Sequence, residues 1–342
     1  MKIFIDPRST ITYSAFYIKG LYDYVGKKNV SFSSKYFDDL KNIDMLMAFV
    51  VIRDHQIKRY IIDYRDQNDL IIDAYKWCDV YAKINLNRSA NYNDSTKIVH
   101  IPPGFGIKIW SLFETLYYLI RNFFDAKIFK NNNHKNIHIR PKSWIRNYIQ
   151  QFRRSPISNL VNNNPNKNNI GENYVFFVSS YWKDSNATNQ NRNQYIIACV
   201  ENRNVNFEGG FFVHKSIDKS MVNIPEELTY NTFLSPYKYI DKIKRSIFVF
   251  NTPAVHDCHG WKLGEFLAMG KAIITTPFYN ELPFPLEHSN DVFIVNDEDE
   301  IKWAVQLLLN DTDLRKKLQV NARLYYDKYA SPEKVLRRIL CE

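Results

Sequence analysis

The chain has 342 residues, 45% of them hydrophobic and 15% aromatic, with only 10 Gly and 13 Pro. Twice the size of a typical domain and too apolar for a disordered or collagen-like chain, it is expected to build two cores. A net charge of +10 predicts an anionic partner, and nucleotide, phosphate, lipid headgroup and nucleic acid all fit.

Cys78, Cys199, Cys258 and Cys341 are scattered, with no CxxC pair and no His cluster at zinc spacing. That argues against a disulfide framework or structural zinc and for a reducing compartment. The opening Met1–Asp6 reaches charge too soon for a signal-peptide core, and no stretch approaches the roughly 18 apolar residues of a bilayer span. A soluble, cytoplasmic protein is expected.

In chain order, Lys2–Ile5 reads as a strand and Tyr13–Tyr24 as a helix. Met45–Ile52 is a continuous apolar run, the pattern of a strand buried on both faces. A strand at Arg59–Ile62, a helix near Asp69–Trp77 and strands at Val80–Ile84 and Ile98–Ile101 follow. The alternation predicts a parallel sheet covered by helices. Six of the ten residues Val161–Ile170 are Asn, so residues 161–173 are read as a linker between domains 1–160 and 174–330.

After the linker the alternation restarts: strand Tyr174–Ser179, helix Asn191–Asn202, strand Val205–Phe207, helix Lys238–Lys244 and strand Ile247–Phe250. Helix Lys262–Met269 and strands Ala272–Thr275 and Val292–Val295 come next. The acidic run Asn296–Glu300 reads as a helix cap for Ile301–Leu309 rather than as a metal motif. Asp311–Tyr329 and Glu333–Leu340 are helical, with Pro332 in a first turn.

The segment from Ser246 to Thr276 carries the most chemistry. A buried strand ends, a loop bears Asp257, a helix opens near Gly260, and Gly270 ends it before the next strand. Exposed N–H groups at the start of that helix can meet an anion such as a diphosphate, and Lys262 adds charge in the same turn. Glu265, one turn on, can accept two ribose hydroxyls.

Asp257, seven residues, then Glu265-Phe-Leu-Ala-Met-Gly270-Lys-Ala-Ile-Ile resembles the donor-site segment of GT-B glycosyltransferases, and Trp261-Lys-Leu-x-Glu265 is similar to the exostosin-like branch. Two departures are the first acid, Asp257 rather than Glu, and Ala272 in place of Pro. The resemblance implies two Rossmann-like domains facing across a cleft, with residues 331–342 crossing back onto the first. It implies that Glu265 holds the nucleotide ribose, and that the loop Asp257–Gly260, with His259, faces the donor sugar. Trp261, Lys262 and Leu263 would face the diphosphate, and the loop after Tyr174–Ser179 would supply cations, of which Lys183 and Arg192 are the candidates.

In the first domain, sites belong at the carboxyl ends of the strands. Acceptor-binding candidates are Arg8 and Ser9 after the first strand, and Lys83 and Asn85, which alternate outward on theirs. Candidate bases for an inverting transfer are Asp6, Asp63, Asp66 and His100, with Asp257 the acid of the donor loop. A carboxylate at a strand end is also a common Arg partner, and Arg8 and Arg65 are close by. No metal and no cofactor are expected, only a nucleotide-diphosphate sugar of UDP or GDP type as co-substrate.

Between Arg121 and Arg154 the chain places nine Lys/Arg (121, 127, 130, 135, 140, 142, 146, 153 and 154) against Asp125 alone. Upstream, Trp110, Phe113, Tyr117, Ile120 and Phe124 recur at helical spacing. Basic and aromatic residues together suit an anionic membrane surface, so peripheral attachment to the inner face of a membrane is one expectation. A core helix followed by a solvated basic face is the other. Nucleic acid is not expected as a partner, since no RRM or KH signature is present. The sequence thus predicts a metal-independent hexosyltransferase of polysaccharide synthesis acting on a glycan or lipid-linked glycan, with an inactive glycan- or nucleotide-binding module as the alternative.

Overall fold

The computed structural model describes residues 1–41, 43–87, 96–127, 140–162, 173–183, 185–214, 217 and 224–341. The chain divides into two α/β units, residues 1–157 with 281–283 and 329–342, and residues 158–280 with 284–328. Most of the Asn-rich segment, 163–172, lies outside the described residues.

Unit 1 opens with β1 (Lys2–Ile5), α1 (Ile11–Val25), β2 (Val30–Phe32), β3 (Leu46–Arg53) and β4 (Gln56–Asp63). It continues through α2 (Ile72–Trp77), β5 (Val80–Lys83), β6 (Ile98–His100), α3 (Leu112–Lys127) and α4 (Pro141–Phe152). The strands form one sheet in the order β2-β1-β3-β4-β5-β6. The fully parallel sheet expected from the sequence is corrected here. β3 runs antiparallel to both β1 and β4. Arg53 pairs with Gln56 across a turn of only two residues, Asp54 and His55, with φ of 50° and 65°. A parallel pairing needs a crossover of about a dozen residues or more, so this connection permits only a hairpin, and two left-handed residues match its twist.

β3 is the central strand, with Leu46–Val51 buried throughout. Leu46, Ala48 and Val50 join Phe37, Leu40, Ile43, Ile61, Tyr81 and Ala74 of α2 in one core. Met47 and Phe49 alternate with them and point to the opposite face. α1 packs against α4 and against α11 (Pro332–Leu340). At Gly20 of α1 a Cβ would lie 2.3 Å from the Pro332 carbonyl oxygen, so glycine is what lets α1 and α11 approach. Asn147 of α4 ties down the first turn of α1 by accepting from Thr12 N–H at 2.8 Å.

Unit 2 begins with α5 (Ile157–Val161), then β7 (Tyr174–Ser180), α6 (Asn186–Glu201), β8 (Asn206–Phe212), α7 (Pro236–Arg245) and β9 (Val249–Asn251). It continues with α8 (Trp261–Ala268), β10 (Ile273–Thr275), β11 (Phe293–Ile294), α9 (Glu298–Asn310) and α10 (Thr312–Tyr325). β7 pairs with β8, and β9 with β10 and β10 with β11, all parallel. β7 lies beside β9, where Ile247 N–H donates to Tyr174 O at 2.9 Å. The two short sheets β8-β7 and β9-β10-β11 lie side by side, and in the spatial order β8-β7-β9-β10-β11 the chain order of the strands reverses between β7 and β9, as in doubly wound Rossmann-like sheets. Val175, Phe177, Phe250 and Ile274 from the strands meet Tyr195, Ile196, Ile301, Ala304 and Leu308 from α6 and α9 in a single core. The acidic run caps α9, with Asp297 accepting from Glu300 N–H at 2.9 Å.

Candidate functional site

In an open parallel sheet, loops on either side of the reversal point turn opposite ways and leave a crevice beyond the carboxyl ends of the strands. In unit 2 that place lies past Ser180 of β7 and Asn251 of β9. Arg192, buried on α6, reaches both: Nε donates to Thr252 Oγ1 and Nη1 to Ser180 O, each at 3.0 Å. Lys262, in the first turn of α8, donates from Nζ to Val178 O at 2.7 Å.

Among the described residues neither cation forms a salt bridge. Burial pulls the Arg192 guanidinium down to about 10. The Lys262 ammonium is pushed to about 7, first by burial and then by the charge of Arg192, against the pull of Glu265. A buried and a half-buried cation that repel each other, held by carbonyls and a hydroxyl, favour the arrival of an anion, which would relieve both desolvation and repulsion. α8 points its first turn from Gly260, a cap residue without a side-chain oxygen of its own, and the positive end of the helix adds to the field. Glu265 is 7% exposed one turn along α8, close enough to act electrostatically on Lys262. The structure thus brings together Arg192, Lys262, Glu265 and Gly260.

The loop before α8 is shaped by strain. His256 and Asp257 both take left-handed φ, 58° and 55°, a conformation costing about 1–3 kcal/mol for residues with a Cβ. Asn280 braces the turn by donating from Nδ2 to Asp257 O at 3.1 Å. The Asp257 side chain is exposed, His259 is buried with its ring 5.6 Å from that of Phe278, and Trp261 is half-buried. The Leu263 side chain is fully buried, and its N–H goes to Gly260 O at 3.3 Å. Lys183 is exposed in the loop after β7. Thr252, which the sequence did not single out, orients Arg192; its only signal was its position just past a buried strand.

In unit 1 the candidates gather at one edge of the sheet, because β1, β4, β5 and β6 run the same way. Asp6 and Asp63 head the same local motif, Asp-x-Arg. Each carboxylate accepts the backbone N–H of the arginine two residues on, Arg8 at 2.8 Å and Arg65 at 3.0 Å, and also its guanidinium. Both carboxylates are fully buried, so a base drawn from either must first give up its arginine. Lys83 and Asn85 are corrected from outward-facing to buried. Lys83 is fully enclosed, with Nζ 3.0 Å from Asp63 Oδ2 and 2.8 Å from Gln67 O, and Asn85 donates to Arg65 O at 2.9 Å. The strand is covered on both sides, and the Asp63 carboxylate compensates the lysine there. Ser9 is buried beside Arg8, Asp66 is exposed, and His100 is half-buried with its carbonyl accepting from Arg338 Nε at 2.6 Å.

No protein-family model and no curated protein matches this chain. Among solved structures, a point mutant of S. aureus TarM in complex with Fondaparinux, alpha-GlcNAc-glycerol and UDP is similar at 10% identity, covering 82% of this chain and 50% of that one, with a TM-score of 0.43. WaaG, a glycosyltransferase involved in lipopolysaccharide biosynthesis, is similar at 13% identity, covering 81% and 85%, with a TM-score of 0.35. HepE from Anabaena in complex with UDP-glucose gives 11% identity, 79% of each chain and 0.36. This chain spans half the length of the TarM chain. All three scores lie below 0.5, so nothing about this chain's reaction follows from the likeness.

Proposed function

We propose that this chain is a GT-B-type glycosyltransferase that moves a hexose from a UDP- or GDP-linked donor to a glycan or lipid-linked glycan in polysaccharide synthesis. The observation that carries the reading is the pair of buried Arg192 and half-buried Lys262, which among the described residues form no carboxylate salt bridge, at the reversal point of a parallel strand order. In a glycosyl transfer the diphosphate gains negative charge as the sugar–oxygen bond breaks. Fixed cations and helix N–H groups stabilise that charge with little reorganisation. Glu265 would accept the ribose hydroxyls, and the loop at Asp257–His259 would face the sugar. Asp66 and Asp257, both exposed, and half-buried His100 are the bases retained for the transfer. This assignment of roles involves neither a metal nor a bound cofactor.

Titration with UDP, GDP and their sugars, read by calorimetry and by product formation, tests the proposal. Glu265→Ala should weaken nucleotide binding by about 1–3 kcal/mol with the fold intact. Arg192→Ala and Lys262→Ala should each lower turnover roughly 10²–10³-fold, the range for removing one charge-stabilising donor. Turnover within twofold of wild type in both cation variants overturns the assignment. The engagement of Asp6 and Asp63 by arginine favours a second reading, an inactive nucleotide- or glycan-binding module. Tight nucleotide binding with neither transfer nor donor hydrolysis would select it.

A further inference from the structure

α3 has more apolar side chains than its packed side covers. Its fully buried positions are Thr115, Asn122 and Ala126. Its exposed positions include Leu112, Phe113, Leu116, Tyr117, Ile120 and Phe124, with Phe113 83% and Phe124 63% exposed. At about 100° per residue these six side chains fill one continuous arc of roughly 140°. The inward residues are specifically engaged: Asn122 donates to Tyr148 Oη at 3.0 Å, and Leu119 O accepts from Trp144 Nε1 at 3.0 Å. The inward side also carries Tyr118, stacked on Trp110 at 4.6 Å, and Phe123, edge-on to Trp144 of α4 at 5.8 Å, so the helix packs through a mixed polar and aromatic side while a second, apolar arc faces water. A contiguous aliphatic and aromatic patch of this kind marks an interaction surface.

We infer that this face of α3 seats unit 1 on an anionic lipid bilayer, with the apolar arc entering the headgroup–acyl boundary. Charge decides the occupant. Across the described residues 112–127 and 140–154 the basic groups are Arg121, Lys127, Arg140, Lys142, Arg146, Arg153 and Arg154, against Glu114 and Asp125. Both acids are already engaged, Glu114 by Lys27 and Asp125 by Ser34. Arg121 borders the apolar arc and Lys127 stands at its carboxyl-terminal end, while exposed Ile145 and Ile149 stand on α4 among Lys142 and Arg146, with Arg153 just past the helix. An apolar stripe bordered by cations matches acyl chains beneath anionic headgroups, and the long basic stems can lie along the apolar surface while their charges reach phosphate. A second copy of this chain fits less well, because a two-fold interface would set the same cationic border against itself. The inference is independent of the proposed reaction, since it uses no residue of unit 2.

Co-sedimentation of the full chain with vesicles of phosphatidylcholine alone, and of phosphatidylcholine with phosphatidylserine, tests it. Binding is expected to the mixed vesicles and to be much weaker on the neutral ones. Raising salt should weaken it without abolishing it, because insertion of apolar side chains is not screened. The triple change Phe113→Ser, Ile120→Ser and Phe124→Ser should lower partitioning by about tenfold or more, with an unchanged melting curve because all three side chains are exposed. Leu324→Ser, equally exposed on α10, should leave binding unchanged. Failure of the wild type to bind mixed vesicles at low salt overturns the inference. So does undiminished binding by the triple variant, or a dimer in sedimentation that the triple change dissolves.

Discussion

Lys271 shows how a single buried charge sets the pH response of unit 2. It is 1% exposed and donates to the carbonyls of Lys244 and Ser246, closing the carboxyl end of α7. Burial, followed by the charge of Arg315, pushes its ammonium down to about 7, and Lys262 falls to the same value. Both folded-state values lie below the usual lysine range, so between about pH 7 and pH 10 the unfolded chain binds more protons than the folded one. Stability therefore rises with pH across that window, and the contribution is absent below it. Denaturation of the wild type at pH 6.5 and pH 9 should show greater stability at the higher value, and Lys271→Met should remove part of that rise. An unaltered rise in the variant would show that its ammonium is solvated. The burial of Lys271 was not legible in the sequence, because a lysine beside a strand is ordinarily exposed. The Asp-x-Arg pairs were half legible: Arg8 and Arg65 stood out as neighbours of the carboxylates, but only the backbone geometry shows the double engagement that buries Asp6 and Asp63.

At the scale of elements, sequence periodicity located most strands and helices because their apolar patterns answer to local packing. β1 was read at its observed limits, Lys2–Ile5, and the run Met45–Ile52 became the central strand β3. Direction was missed, since a two-residue turn of Asp54 and His55 lacks the glycine that usually announces a hairpin. The three-residue β2 was missed for want of length. α3 shows a different limit: helical spacing of aromatics identifies the helix but not which side the fold covers. Gly20 is a related case, a mid-helix glycine whose reason lies in a partner more than 300 residues away in sequence. Its Cβ would stand 2.3 Å from Pro332 O and 2.6 Å from Leu336 Cδ2. Gly20→Ala should therefore force α1 and α11 apart and destabilise unit 1 by about 1–3 kcal/mol, the range for overpacking. If there were slack at this contact, alanine would instead stabilise the helix slightly through its propensity. Chemical denaturation followed through unit 1 decides the sign.

Taken whole, the chain builds its first unit from both ends of the sequence. Residues 329–342 belong to the same unit as residues 1–157, while the second unit is largely continuous from 158 to 328. α11 contributes Val335, Leu336 and Ile339, all fully buried, and Arg338 donates to His100 O at the end of β6. Removing residues 331–342 should therefore uncover α1 and loosen the edge of the sheet that carries Asp6, Asp63 and His100. Unit 2 keeps its own core of β7, β9, β10, α6 and α9 residues, none of which comes from that tail. Losing three buried aliphatic side chains forfeits roughly 1.5–3 kcal/mol each, a large share of the stability of one domain. The expected result is a truncated protein whose residues 1–157 are rapidly cleaved by added protease. The fragment beginning near 158 should persist and still bind a nucleoside diphosphate through Arg192 and Lys262. Limited proteolysis with mass spectrometry, together with calorimetric titration of the truncated chain, measures both halves. Equal protease resistance of the first unit with and without the tail would show that α1 does not depend on α11. Loss of nucleotide binding alone would place the tail's role in the site rather than in the fold of unit 1.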